Sequence, residues 1–581
     1  MNWRALLQSQ WFQLCLLVAA LSGGVTIYNI AQRSGSSDNL SGNGTPIPGP
    51  SAAPSSIPRR AVTKIKPKTH GRWIVDASGG RDADSSDIET VTSSLSQGDV
   101  VTLRPGTYTG NCEISVSASL VGPAAGKGTA TIRGADSQRA GITISGKKVS
   151  FENISISFEA AGDSPALQIL REANVEMKKC AITTQSKFGI LVDESASLTA
   201  QDTELRAVNA GCCLKYQGAA KGTLTRCRFL AGRWGLEVVN NAQVQGSNCA
   251  FQQIGLINGA GLVIGVAGGR ASLELDACQF EGNTTTISAD EGATFRLSNS
   301  TLRNNGVTGE GQNSNLGMIC AQHAARVSLH DDIFEQNRQG LVALGASTLT
   351  LSHVQMRQTG LVSDNQTLKA YCNAVGANDQ GTVVNVAGCT ISDSLNNALD
   401  IGGGASLKMI ETTITNTTGS ALYLGFASSP ASQGLLNNVH IRGAHADAIY
   451  VAAGSQLEMQ GCEVSGSDWV GIEAQDNSTQ VKVTDSTVTG CKVTGLAANR
   501  GGVILAFGST MEATSRGAQA GLPNDPQKKG NVFLSNCTVR GNSIFGVGAC
   551  RGAELVMKGG YLGANQQNTW HENGGSVRLE R

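Results

Sequence analysis

Four side chains that could bind a sugar recur at a nearly constant interval in the last third of the chain. They are separated by about 25 residues, a period typical of repeat proteins, and they are Asp400, Tyr423, Tyr450 and Glu473. Tyrosine rings offer apolar surface, and carboxylates accept hydrogen bonds from hydroxyl groups. The combination predicts a polysaccharide-binding groove, provided that the fold brings the four side chains onto one face.

Two more residues of the same region could take part in acid–base chemistry. His445 and Asp447 lie in the turn before Tyr450 and could supply a closer acid or base. Asp400 and Glu473 themselves would lie three units apart, about 14 Å at the usual strand spacing. The paired carboxyls of glycosidases lie roughly 5–9.5 Å apart. The four repeated residues therefore predict a binding surface rather than a hydrolytic pair, and plain surface decoration is the simplest alternative.

The interval belongs to a repeat that fills most of the chain. Each unit begins with a small residue followed by an apolar–variable–apolar pattern, as in Gly189-Ile190-Leu191-Val192. Unit starts lie near Gly141, Ala166, Gly189, Gly211, Gly235, Gly261, Thr286, Gly317, Gly340, Cys372, Ala398, Ala421, Ala448, Gly471, Gly495 and Gly546. The wider last interval indicates a polar loop inserted at about residues 509–529. Short alternating segments predict half-buried strands, so the chain is expected to be an all-β solenoid, a parallel β-helix of about sixteen coils.

The segment before the repeat resembles a known family. The phrase Gly98-Asp99-Val100-Val101-Thr102-Leu103-Arg104-Pro105-Gly106-Thr107-Tyr108 is similar to the N-terminal cap of the pectin-lyase-like right-handed parallel β-helix superfamily. The resemblance covers about residues 72–575 and implies a right-handed helix. It implies little about activity, because this fold carries lyases, hydrolases, esterases, epimerases and binding proteins.

The family's catalytic signatures are not recognisable here. In the aligned units the outward third position reads Thr143, Gln168, Leu191, Cys213, Glu237, Val263, Ser288, Ile319, Val342, Asp400, Tyr423, Tyr450, Glu473, Ala497 and Gly548. The resemblance implies that a calcium-dependent pectate lyase would carry a basic residue and calcium-binding carboxylates on one outward face. This column has no Lys or Arg and no two adjacent acids. Asp331-Asp332 could be considered as a pair of catalytic acids. Asp332, however, falls at a corner position of the repeat and is interpreted as a turn residue. No metal or cofactor is expected.

Eight cysteines share one repeat position: Cys180, Cys227, Cys249, Cys278, Cys389, Cys462, Cys491 and Cys537. Other units place Ser or Thr there, so the position demands a small side chain at a tight inward corner. Free cysteine suits this role, and the spacings of metal-binding cysteines are missing. In the pair Cys212-Cys213, the pattern directs Cys212 inward and Cys213 outward.

The N-terminus predicts a membrane anchor. Residues 11–30 form an apolar run long enough to span a bilayer, and a cleaved signal is the alternative. The expected organisation is an anchor or signal at 1–33, a flexible linker at 34–71, a cap with the first coils at 72–140, and repeats at 141–575. Export of the repeat domain is expected, either to the periplasm or to the cell surface.

Composition limits the partners. Lys+Arg and Asp+Glu both number 45, which argues against nucleic-acid binding. The favoured hypothesis is a membrane-anchored, non-catalytic β-helix that binds polysaccharide or a surface protein. The alternative is a polysaccharide-active enzyme, a lyase or a glycoside hydrolase, with a divergent active site.

Overall fold

The structure is a computed structural model. It describes residues 65–67, 69, 71–208, 211–255, 262–283, 287–306, 318–360, 373–425, 430–522 and 529–581. The expected anchor at 11–30 and most of the linker lie outside these residues. Within them, no helix combines the length and the apolar character needed to cross a membrane.

The described residues form a parallel β-solenoid of about 19 turns with three sheets. Each turn contributes one strand to sheet C, then one to sheet A, then one to sheet B. Alternation makes the strands half-buried: in Phe188–Val192, Ile190 and Val192 are buried while Leu191 is partly exposed. Inward side chains of all turns merge into one continuous apolar core.

Sheet C carries the candidate site. Its strands are Cys112–Ile114, Ile142–Ile144, Leu167–Ile169, Phe188–Val192, Cys212–Tyr216, Trp234–Val239, Ile264–Ala267, Ile287–Asp290, Ile319–Ala321, Leu341–Ala343, Val375–Ala377, Leu399–Ile401, Leu422–Leu424, Ile449–Val451, Val470–Gln475, Thr494–Asn499, Arg516–Ala520, Phe545–Cys550 and Thr569–Glu572.

Sheets A and B complete each turn. Sheet A consists of Arg72–Val75, Asp99–Leu103, Ala118–Val121, Lys148–Glu152, Asn174–Lys178, Ser197–Gln201, Lys221–Thr225, Gln243–Ser247, Ser272–Asp276, Thr294–Ser298, Arg326–His330, Thr348–Ser352, Val383–Ala387, Ser406–Ile410, Gln433–Asn437, Gln456–Gln460, Gln480–Thr484, Val503–Phe507, Asn531–Ser535, Glu554–Lys558 and Ser576–Glu580. Sheet B consists of Gly106–Thr109, Ala130–Gly134, Ile154–Phe158, Ala181–Thr184, Glu204–Ala207, Arg228–Leu230, Ala250–Gln252, Gln279–Glu281, Thr301–Arg303, Ile333–Glu335, Gln355–Arg357, Thr390–Ser392, Thr413–Thr415, His440–Arg442, Glu463–Ser465, Thr487–Thr489, Thr510–Glu512, Thr538–Arg540 and Tyr561–Gly563.

The expected count of sixteen coils is too low. The sequence pattern missed the sheet C strands Cys112–Ile114, Arg516–Ala520 and Thr569–Glu572. The middle one lies in the segment interpreted as an inserted polar loop. Its polar residues Arg516 and Gln519 made the segment look like a loop. Its backbone nevertheless pairs in register with both neighbouring turns.

The residues of the Gly-Asp…Pro-Gly-Thr-Tyr phrase pack into the first turns of the solenoid. Tyr108 is buried, and its hydroxyl donates to the backbone oxygens of Val75 and Arg104. Trp73 Nε1 donates to Asp99 Oδ2 at 2.8 Å. A short helix, α1 (Ile88–Ser94), was not expected from the sequence; it is N-capped by Asp87 and packs on strand Cys112–Ile114.

The corner between sheets A and B is lined by the cysteine ladder. Cys227, Cys249 and Cys278 are buried in successive turns, and the Cys227 and Cys249 thiols each lie within hydrogen-bonding distance of backbone oxygens of their own turn and the preceding one. All cysteines of the described residues are free. Asp332 occupies the same corner and is fully buried. The packing role of the ladder is therefore confirmed for these positions.

Cys491 belongs to a different corner, between sheets B and C. It follows strand Thr487–Thr489 instead of preceding it, because the sequence motif of a small residue and an apolar one occurs at both corners. The same corner holds an asparagine ladder that the sequence analysis missed. Asn283 Nδ2 donates to Asn305 Oδ1, and Asn305 Nδ2 donates to Asn337 Oδ1.

Candidate functional site

Four outward residues on neighbouring strands of sheet C form an unbroken column. Asp400 pairs in register with Tyr423, Tyr423 with Tyr450, and Tyr450 with Glu473. Their strand neighbours, such as Leu399 and Ile401, are buried in the core. Alternation along the strand therefore turns the four side chains to the opposite face. We call Asp400, Tyr423, Tyr450 and Glu473 the acidic–aromatic column.

The two tyrosines of the column stack on each other. Their ring centroids are 4.8 Å apart with an interplanar angle of 27°, and both side chains are half-buried. One face of each ring is therefore occupied by the other ring. A ligand can contact the remaining exposed ring surface, so the pair forms a narrow aromatic ridge rather than a broad platform.

Asp400 is held in a buried amide environment. Its Oδ2 accepts from Asn373 Nδ2 at 3.0 Å and from Asn397 Nδ2 at 3.4 Å. Its Oδ1 is buried and has no hydrogen-bond partner within the described residues. Burial raises the pKa of Asp400 to about 7, although both amide bonds act in the opposite direction. The site therefore contains a carboxyl group that readily holds its proton and one oxygen that still requires a partner.

Glu473 closes the other end of the column. Its Oε1 accepts from Asn499 Nδ2 at 2.8 Å. Burial, followed by the negative charge of Asp447, raises the pKa of Glu473 to about 8. Asp447 itself accepts from the backbone N–H of Val470 at 3.0 Å. Asp447 therefore lies near enough to Glu473 to affect its ionisation.

His445 belongs to a separate group at the surface. Its Nδ1 lies 3.0 Å from Asp468 Oδ2, and Asp468 Oδ1 also lies 2.8 Å from Lys492 Nζ. The His445 side chain is 63% exposed. The contact recorded for His445 is therefore with Asp468, and its proposed part in acid–base chemistry stays a prediction.

An exposed tryptophan near the column was missed by sequence reasoning. Trp469 is 43% exposed and directly precedes strand Val470–Gln475. Asp447 lies at the corresponding end of the preceding sheet C strand, as its bond to the Val470 N–H shows. The signal available in the sequence was a rare aromatic residue flanking a column position.

The rest of the column differs from the expected one at several turns. The structure places Lys215, Gly265 and Cys320 where Cys213, Val263 and Ile319 were expected. Turns of variable length made the small residue that starts a unit ambiguous by one or two positions. The expectation of a column without Lys or Arg is therefore wrong: Lys215 Nζ lies 3.0 Å from Glu237 Oε2 on the next strand.

Cys213 and Asp332 are both internal. Cys213 is buried like Cys212, contrary to the outward orientation expected for it. Asp332 accepts from the backbone N–H groups of Ser300 and His330, and burial raises its pKa to about 7. Within the described residues, the group of side chains suited to metal binding is His330, Asp331 and His353, which lies outside the acidic–aromatic column.

Sequence comparison identifies the family. The profile described as "Right handed beta helix region" matches residues 111–251, 207–359 and 373–552. The chain belongs to the right-handed β-helix family. Membership establishes the hand of the solenoid that the cap motif implied. No curated protein matches this β-helix chain.

Several solved β-helix structures are similar in fold. A mutant of the periplasmic alginate epimerase AlgG is 10% identical over 60% of this chain and 77% of its own, with a TM-score of 0.37. An alginate lyase from Paenibacillus sp. str. FPU-7 is 12% identical over 67% and 94%, with a TM-score of 0.28. A mutant of the PL6 family alginate lyase AlyGC is 10% identical over 87% and 99%, also at 0.28. These likenesses concern the fold alone.

Proposed function

We propose that this β-helix protein binds polysaccharide along the outward face of sheet C, on the acidic–aromatic column. The observation that carries the proposal is the register of Asp400, Tyr423, Tyr450 and Glu473 on consecutive strands. Strands repeat at about 4.8 Å, so the column places carboxyl groups and aromatic rings at regular steps. An extended polymer of hydroxyl-rich units has matching periodic chemistry.

The protonation of the column favours a neutral polysaccharide over a polyuronate. Asp400 and Glu473 both have a raised pKa because burial disfavours their charged forms. A protonated carboxyl donates one hydrogen bond and accepts others, which suits sugar hydroxyls. An anionic sugar would bring its own charge into a buried environment that already disfavours charged carboxyl groups.

The test is affinity electrophoresis of the protein in gels containing a neutral glucan or alginate. The double variant Tyr423→Ala/Tyr450→Ala removes the ridge, and Lys215→Ala is the matched control in the same sheet C column. We expect the neutral glucan to retard the wild type and the control, and the double variant to lose at least about tenfold in affinity, roughly the contribution of one or two aromatic contacts. Equal retardation of wild type and double variant would contradict the proposal.

A second candidate is a polysaccharide-active enzyme, and the environment of Glu473 favours it. Glu473 keeps its proton to about pH 8, partly because of Asp447, and a protonated carboxyl beside an ionisable one is the combination used for general acid and base catalysis. New absorbance at 235 nm would indicate a lyase and new reducing ends a hydrolase. Either activity should disappear in Glu473→Gln and survive in Asp468→Asn; absence of both activities in the wild type leaves the binding function alone.

We also propose that residues 11–30 anchor the chain and that the repeat domain lies outside the cytoplasm. The support is the length and apolar character of that run. Protease added to intact cells or spheroplasts should digest the repeat domain. Full protection in both preparations would contradict this placement.

A further inference from the structure

Two histidines and one carboxylate converge at the corner between sheets A and B. His330 ends strand Arg326–His330 and Asp331 follows it in the turn. His353 occupies the equivalent turn position in the next turn: both Asp331 and His353 have φ 54°, and the Asp331 N–H donates to Ser352 O. The solenoid therefore places side chains from two successive turns side by side.

The ligand atoms of these residues are close together. His330 Nε2 lies 2.9 Å from Asp331 Oδ2, and His353 Nδ1 lies 3.9 Å from Asp331 Oδ1. One ligand atom from each residue lies within 4.8 Å of the other two. The imidazole centroids are 5.6 Å apart at 75° to one another. A single ion can contact all three residues after small side-chain rotations.

Asp331 differs from the acids of the solenoid that pair with arginine. Asp202 pairs with Arg226, and Glu274 pairs with Arg296. Asp331, by contrast, has both of its ion pairs in the described structure with imidazole rings. Two imidazoles with a carboxylate oxygen are a ligand set that Zn²⁺ accepts.

The backbone beneath the cluster is fixed. Buried Asp332 accepts from the His330 N–H at 3.0 Å and from the Ser300 N–H at 2.8 Å. The His353 N–H donates to Ala387 O in the following turn. Ligand positions are therefore set by the solenoid itself, and only the three side chains need to adjust.

We propose that His330, Asp331 and His353 bind a divalent transition metal of the Zn²⁺ type, which joins two successive turns. Nitrogen ligands favour this class over Ca²⁺ and Mg²⁺, which prefer oxygen. Three protein ligands leave the fourth tetrahedral position to water. The proposal does not depend on the polysaccharide function.

Isothermal titration calorimetry of the full chain with ZnCl₂ tests the proposal. His353→Asn removes a ligand and keeps a residue that tolerates the left-handed turn. His323→Asn is the matched control, because His323 also has a left-handed φ and pairs with a single carboxylate, Asp290. We expect one saturable site in wild type and control, and affinity lower by about tenfold or more in His353→Asn, as for other losses around a metal.

Three results would overturn the site. One is the absence of saturable binding in the wild type, and another is unchanged affinity in His353→Asn. The third is an equal loss in His323→Asn. Circular dichroism of the metal-free variants separates loss of binding from loss of folding, and Asp331→Asn, which also suits a left-handed φ, provides a second ligand deletion.

Discussion

Two segments of the sheet C column solve the placement of charge in opposite ways. In the first, Lys215 and Glu237 lie on adjacent strands, and Lys215 Nζ is 3.0 Å from Glu237 Oε2. Their side chains are only 18% and 21% exposed. In the second, Asp400 and Glu473 flank two tyrosines, and their recorded hydrogen-bond donors are asparagine amides. The first segment pairs its acid with a lysine, whereas in the second segment burial raises the pKa of both acids.

The difference shows why identical strand geometry does not give identical surfaces. A completed ion pair leaves no group in need of a partner. Among the described residues, the buried Oδ1 of Asp400 has no hydrogen-bond partner, and an unpaired buried acceptor costs stability. The two segments therefore differ in whether the buried polar groups of the described residues all have partners.

The largest expected effect concerns Asp400 and pH. Its folded pKa of about 7 lies above the unfolded value of about 3.9. The stability associated with the bound proton is complete below about pH 4 and is lost as pH rises through 7. Asp400→Asn should therefore match wild type near pH 4 and exceed it at pH 8 by up to about 4 kcal/mol.

Urea denaturation at several pH values measures this difference. Glu458→Gln, an exposed acid of sheet A, is the control and should follow the wild-type profile. Equal destabilisation by Asp400→Asn at pH 4 and pH 8 would contradict a raised pKa for Asp400 in the folded protein.

An intermediate effect is expected for the tyrosine stack. A double-mutant cycle of Tyr423→Leu and Tyr450→Leu should give a coupling free energy of about 0.5–1.5 kcal/mol, the usual value for paired rings. The coupling should not change with salt, because ring stacking is not an interaction between full charges. Additive single variants would mean that the 4.8 Å contact contributes nothing of its own.

The smallest effect is expected for the neutralised segment. A cycle of Lys215→Met and Glu237→Gln should give about 0.2–1 kcal/mol, decreasing with added salt as for other partly exposed ion pairs. Polysaccharide retention should be the same in both variants as in wild type. Loss of retention in either variant would contradict the proposal that polysaccharide binds only the acidic–aromatic column and not the Lys215–Glu237 segment.

The sequence predicted the solenoid and the relation between the four column residues because both depend on a period of alternating strands. Asp400 and Glu473 lie at the outward positions that the alternating strand pattern predicts for them. Lys215 was missed because the neighbouring turn made Gly211, rather than Cys213, look like the start of the unit. The pairing of Tyr423 with Tyr450, and the amides around Asp400, depend on side-chain conformation, which periodicity does not encode.

The buried thiols have a consequence for biogenesis. Every cysteine in the described part of the chain is free and inaccessible once its turn has been covered by the next. Before that moment the thiols are exposed on an unfinished chain, and an oxidant could join cysteines that never meet in the native fold. In an oxidising compartment, the native thiols of such a chain would be protected by rapid burial alone, without any covalent cross-link.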